Sequence, residues 1–286
     1  MSRVEPLVGS VLNTLAGPAP QVAGRAAYAL FCYPLRRGAV LPRERAVHEQ
    51  AVTDELVVAG KRVRCYRWGP GERPVLMVHG WQSRASRYAG FVPRLRALGL
   101  TAVSFDAPGH GSSSGRSTTV LEYRRIIAEL QARYGTFHAV MAHSLGATSA
   151  FLALRAGVRA ERLVTVSAVK DFDHFADEFS RILALGPGLR RDLRERIEHR
   201  LFAEVSDPWE LFDATRNPAE IGVPMRVIHD VDDEMVPVAQ AHALKAAYGD
   251  QADLVLTRGL GHRKVLGEPA VIESALEFIA PAPVDH

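Results

Sequence analysis

From about residue 50 onward, the apolar positions of this 286-residue chain fall into short runs that alternate with amphipathic stretches. Residues 55–58 and 63–68 are β-branched runs around Gly60-Lys61 and read as a strand pair. Runs at 75–79, 101–105, 137–142, 162–167, 225–229 and 254–256 read as further strands. Between them, 86–98, 118–134, 145–156, 239–247 and 269–279 carry helical periodicity, the first closing at Gly99. Repeated strand–helix units predict an α/β protein with a mostly parallel central sheet and helices on both faces. In such sheets, sites lie beyond the carboxyl ends of the strands.

Two stretches break the alternation. At the amino-terminal end, Leu7, Val8, Val11, Leu12 and Leu15 continue a stripe begun by Val4, predicting a helix over 4–15 that Gly17-Pro18 ends. A second apolar stretch, 22–33, stops at Pro34. Packing on the main domain is the plain reading of both. The sharper reading is a flap near a ligand mouth or a membrane-surface contact. After the strand at 162–167, residues 171–185, 189–202 and 208–215 form an insert that reads as helical, with Gly186-Pro187-Gly188 between its first two parts. The organisation expected is therefore a helical extension over 1–50, a core over 51–170 and 217–286, and a helical insert over 171–216.

Composition narrows the classes. With 47% hydrophobic residues the chain has material for a large core, and its length suits one large domain or two modest ones. The net charge of +3 is spread along the chain, and no basic stripe interleaves with aromatics, so nucleic acid is set aside as a partner. No run approaches the roughly 20 apolar residues of a membrane span. Glu5 and the interruptions Asn13, Thr14, Gly17 and Pro18 make a poor signal peptide. Two cysteines, Cys32 and Cys65, suggest neither a disulfide framework nor a metal site, and a reducing cytoplasm is expected.

The candidate chemistry sits just past three of the strands. Ser144, in Ala142-His143-Ser144-Leu145-Gly146, follows a strand and precedes an Ala-rich helix. A tight strand–turn–helix lifts a serine clear of the sheet, small residues two positions either side let the turn close, and the helix start faces developing negative charge. The plain alternative is a serine N-cap. His262, in Gly259-Leu260-Gly261-His262, lies on what reads as a flexible glycine-lined loop after the last strand, where an imidazole can enter a cleft as a base. Four acids, Asp230, Asp232, Asp233 and Glu234, crowd the loop after the strand at 225–229, and one of them would orient the base. An anion hole needs two donors. The Leu145 N–H is one, and the other is expected after the strand at 75–79, from Trp81 or, second, Gln82. His79 and His110 read as buried structural histidines, and Asp106 as the brace of its own turn. Trp209, Phe172, Phe175 and Phe179 read equally as a pocket lining and as the insert's own core.

Over roughly residues 55–280 the chain resembles the α/β-hydrolase superfamily. The resemblance is carried by Val-Leu-Met-Val-His-Gly-Trp at 75–81, Phe-Asp-Ala-Pro-Gly-His-Gly at 105–111, Ala-His-Ser-Leu-Gly at 142–146, His-Asp-Val-Asp-Asp-Glu-Met-Val-Pro at 229–237 and Gly-Leu-Gly-His at 259–262. It implies the α/β-hydrolase fold, with Ser144 as nucleophile, His262 as base, and Asp233 rather than Asp232 as the acid. It also makes the insert a small helical cap over the site. Ala142 stands where the family usually has glycine and is small enough for the turn. A serine at 144 argues against the dehalogenase and epoxide hydrolase branches, whose nucleophile is aspartate.

The leading expectation is a serine hydrolase that cleaves a small-molecule carboxylic ester or thioester and needs no cofactor or metal. Acyl transfer or carbon–carbon bond hydrolysis with the same three residues is the alternative within catalysis. A non-catalytic ligand receptor or scaffold on the same fold is the alternative outside it.

Overall fold

The computed structural model describes residues 4–280, and within them the chain divides into two compact units. The larger, Arg36–Lys170 with the chain from Ala214 on, is built on one eight-stranded sheet. Its strands are β1 (Val52–Val58), β2 (Lys61–Trp68), β3 (Pro74–Val78), β4 (Thr101–Asp106), β5 (Ala139–His143), β6 (Leu163–Val166), β7 (Met225–Asp230) and β8 (Ala252–Thr257), in the order β1-β2-β4-β3-β5-β6-β7-β8. β2 pairs antiparallel with β1 and with β4, and every other pairing is parallel. Parallel strands covered on both faces need apolar residues at every position, not at alternate ones. β3, β5 and β6 are accordingly buried at every residue, whereas the edge strand β1 is exposed along most of its length.

The helices are α1 (Val4–Ala16), α2 (Pro20–Cys32), α3 (Pro42–His48), α4 (Val92–Ala97), α5 (Val120–Tyr134), α6 (Leu145–Arg155), α7 (Asp173–Ile182), α8 (Pro187–Arg196), α9 (Pro208–Leu211), α10 (Ala239–Tyr248), α11 (Gly261–Lys264) and α12 (Pro269–Ile279). α5 starts on a reciprocal cap, the Thr119 hydroxyl accepting from the Glu122 N–H while the Glu122 carboxylate accepts from the Thr119 N–H. α12 lays Val271, Ile272, Ala275, Leu276 and Ile279 into the same core as Met77, Met141, Val164 and Ile228 from the sheet.

The single helix expected over 86–98 is two pieces, a 3₁₀ turn at Ala85–Tyr88 and then α4. Pro93 explains the break. It has no N–H to give the preceding turn, and its ring is tolerated only in the first turn of a new helix. α3 has too few apolar residues to announce itself. It forms because Glu44 is buried, accepting from the Leu41 N–H (3.0 Å) and the Ser86 hydroxyl (2.7 Å) and pairing with Arg87. Pro208 starts only one turn of helix, not the longer element expected over 208–215.

The smaller unit comprises residues up to Leu35 together with Asp171–Asp213, so α1 and α2 pack with α7 and α8. Its centre is aromatic. Phe172 meets Phe202 edge-on at 5.0 Å, Phe202 meets Phe212 at 4.7 Å, and all three are buried. Phe31 of α2 stands edge-on to Phe179 of α7 at 5.3 Å. Phe172 is thus part of this unit's own core. No helix among the described residues is long and apolar enough to cross a membrane.

Within the larger unit, α6 approaches β3 where Gly146 faces the end of the strand. A Cβ at Gly146 would lie 2.8 Å from the His79 carbonyl oxygen and closer still to that of Val78. Both obstacles are backbone and cannot rotate away. Gly146→Ala is expected to destabilise the protein by about 1–3 kcal/mol, read as a lower urea midpoint at unchanged slope. An unaltered midpoint would show that α6 has room to spare.

Candidate active site

β5 ends at His143, and the chain reverses direction at Ser144 before α6 begins. The reversal sets Ser144 at φ 54° and ψ −123°, in the left-handed region that costs a residue with a side chain of order 1–3 kcal/mol. The Ser144 N–H donates to the Val166 carbonyl at the end of β6 (3.1 Å), which ties the reversal to the sheet. Leu145 is the first residue of α6, so its N–H has no acceptor within the helix.

The loop after β3 passes against this turn. A Cβ at Gly80 would fall 2.9 Å from the Ser144 Cβ and 3.0 Å from the His143 carbonyl oxygen, so only glycine allows the approach. Of the next two residues, Gln82 has its N–H committed to His110 Nε2 at 3.0 Å. The Trp81 N–H is the backbone donor of the other, and the Trp81 ring stands edge-on to His110 at 5.1 Å.

Two more loops complete the cluster. The Ser144 hydroxyl donates to His262 Nε2 at 3.1 Å, and His262 Nδ1–H donates to Asp233 Oδ2 at 2.8 Å. Asp233 Oδ1 accepts from the N–H groups of Met235 and Val236, both at 2.9 Å. Burial by itself would raise the Asp233 pKa. The hydrogen bond and charge of His262 and the two backbone donors outweigh burial and hold it at about 2. Asp233 is therefore an anion that accepts only, which puts the Nδ1 proton on His262 and leaves Nε2 as an acceptor. A hydroxyl in such a line can yield its proton as its oxygen bonds to carbon, with the carboxylate balancing the imidazolium that forms.

The remaining acids have other work. Asp230, at the end of β7, accepts from Gly261 N–H (3.0 Å) and Leu260 N–H (3.2 Å), the Thr257 hydroxyl (2.8 Å) and Asp232 N–H (3.1 Å). Asp232 Oδ2 accepts from Gly259 N–H at 2.9 Å. These two carboxylates bind the segment carrying His262 to the loop carrying Asp233. As a result His262 lies not on a flexible loop but in the helical turn α11. Asp106 is fully buried and accepts from Ala85 N–H, Ser112 N–H, the Tyr66 hydroxyl and Arg84, bracing its own turn. His79 donates from Nδ1 to the Gly80 carbonyl and accepts at Nε2 from the Ala107 N–H. Burial pushes the pKa of His79 down and that of His110 down to about 3.

Two more buried histidines at the site were given no role in the sequence reading. His143 Nε2–H donates to the His262 carbonyl at 2.9 Å. His229 Nε2–H donates to the Val236 carbonyl at 2.8 Å, fixing the residue whose N–H serves Asp233. Each stands within one of the motifs, and that placement was the available signal.

A family model described as "Alpha/beta hydrolase family" matches residues 75–277. The chain belongs to the alpha/beta hydrolase family. Among solved structures, this alpha/beta hydrolase is similar to a monoacylglycerol lipase from Paleococcus ferrophilus, at 22% identity over 76% of this chain and 98% of that one, with a TM-score of 0.59. It is also similar to alpha/beta hydrolase domain-containing protein 10 from mouse, at 20% identity over 80% and 97%, with a TM-score of 0.59. A meta-cleavage product hydrolase, CumD, is similar at 18% identity over 81% and 99%, with a TM-score of 0.60. At such identities the likeness establishes the fold. Among curated proteins, none matches the chain by sequence.

The low Asp233 pKa has a consequence for acid stability in this hydrolase. An unfolded aspartate titrates near 4, and the folded one at about 2. Its stabilising contribution is complete above the unfolded value and disappears as pH falls through the folded one. Wild type should lose stability between about pH 4 and 2, and Asp233→Asn should show a shallower loss over that window. Denaturant midpoints measured at each pH would decide it, equal slopes ruling out this contribution.

Proposed function

We propose that this alpha/beta hydrolase is a serine hydrolase that cleaves a small-molecule carboxylic ester or thioester through an acyl-enzyme. The observation that carries the reading is the unbroken hydrogen-bonded line from the Ser144 hydroxyl through His262 to the buried Asp233 anion. In the first half-reaction Ser144 Oγ attacks the acyl carbonyl carbon as its proton passes to His262 Nε2. The carbonyl oxygen becomes an oxyanion held by the N–H groups of Leu145 and Trp81. The tetrahedral adduct collapses, the alcohol or thiol takes the proton from His262, and the acyl group stays on Ser144. Water then gives a proton to His262 and attacks the acyl carbon, and as the C–Oγ bond breaks His262 returns that proton to Ser144 Oγ, releasing the acid and restoring the serine.

The commitment of Gln82 N–H to His110 supports Trp81 as the second oxyanion donor. Its loss as a donor is expected to cost roughly 100- to 1,000-fold in turnover. No organic cofactor or metal enters this scheme. Short to medium acyl chains are the expected substrates.

Wild type and Ser144→Ala should be compared with a fluorophosphonate probe and with p-nitrophenyl esters of increasing length. Wild type is expected to label stoichiometrically and to turn over esters, with the rate levelling off before about twelve acyl carbons. Ser144→Ala is expected to do neither. Absent labelling of folded wild type would sink the reading in favour of a ligand receptor. Acyl ester formed from an added alcohol would indicate transfer.

A further inference from the structure

His143 is the last residue of β5 and directly precedes Ser144, and its side chain bonds to the backbone of His262. The imidazole is buried, with only 6% of the residue exposed. Nε2–H reaches the main-chain carbonyl of His262 at 2.9 Å, and the two rings lie 4.9 Å apart, tilted by 43°. On its other side the ring abuts the loop after β3, where a Cβ at Gly80 would come within 3.3 Å of Nδ1. Nδ1 itself has no hydrogen-bond partner among the described residues. One rigid ring therefore spans from the backbone of the base to the loop that carries the Trp81 N–H.

We propose that His143 is a positioning residue that holds His262 by its backbone and sets the spacing between the base and the oxyanion loop. The proposal rests on the serine hydrolase reading for its kinetic part and on the structure alone for its geometric part. α11 is a single helical turn, too short to hold its own carbonyls in register, and the His143 N–H supplies a bond from outside it. A bond to the main-chain oxygen persists whether the His262 side chain is neutral or protonated, so the base stays in place through both half-reactions. Burial first, and the neighbouring His262 second, lower the His143 pKa to about 3. A neutral ring therefore faces His262 when His262 takes up the serine proton. A charged side chain in the same place would oppose that step.

The test uses His143→Phe, which keeps a ring but has no donor, and His143→Gln, which keeps an N–H at similar reach. With folding checked by thermal unfolding, His143→Phe should label and turn over esters roughly 10- to 100-fold more slowly, with KM within about twofold of wild type. His143→Gln should recover most of that loss. A His143→Phe enzyme as fast as wild type overturns the proposal. So does equal slowing in both variants, which would mean that the ring only packs. A proton NMR spectrum gives a readout independent of turnover, through the downfield Nδ1–H resonance of His262 bonded to Asp233. That resonance should be sharp in wild type and His143→Gln and broadened or lost in His143→Phe. If wild type neither labels nor hydrolyses esters, the hydrolase reading fails and this resonance alone decides. Its unchanged presence in His143→Phe then overturns the positioning role.

Discussion

The hydrogen bond between Asp233 and His262 joins two loops that follow neighbouring strands, and most of the polar structure around it exists to keep it short. Asp233 can accept the hydrogen bond from His262 Nδ1–H as an anion only if its charge is stabilised in a buried place, and the N–H groups of Met235 and Val236 bond its other oxygen. Val236 stays in position because His229 donates to its carbonyl. His262 is presented at the correct height because Asp230 and Asp232 clasp the backbone of residues 259–261. Each layer is a hydrogen bond to main chain, and main chain is what a rigid sheet holds best.

The same layout separates the two sides of the site by protonation state. Asp233 is kept charged by its donors, while His79, His110, His143 and His229 are kept neutral chiefly by burial. One carboxylate and one imidazole thus face each other among rings that do not compete for the proton. A second cation near Asp233 would weaken its pull on His262, and burial prevents one from forming.

The strands and the places of Ser144 and His262 just beyond them were legible because each depends on local pattern. Buried parallel strands read as continuous apolar runs, and a serine between Ala142 and Gly146 after such a run has few other uses. What was not legible depends on contacts distant in sequence. α3 rests on Glu44 reaching Ser86 and Arg87. α11 rests on Asp230 reaching across some thirty positions to Gly261, so the glycines around His262 read as flexibility when they serve a turn held in place. Pro93 was a local signal that periodicity overrode. Choosing among the four clustered acids drew on resemblance, because composition gives all four equal standing. The geometry separates the three aspartates by which donors each one meets.

The smaller unit has a different bearing, on the order in which the chain is made. Its parts are the residues up to Leu35 and Asp171–Asp213, with Arg36–Lys170 between them. Phe31 is synthesised long before Phe172 and Phe179, the rings it packs against. During translation, α1 and α2 emerge without the partners that cover them, and their apolar faces wait while most of the sheet is produced. Closing this unit joins ends of a long intervening segment, whose entropy cost falls once that segment has folded and drawn its own ends together.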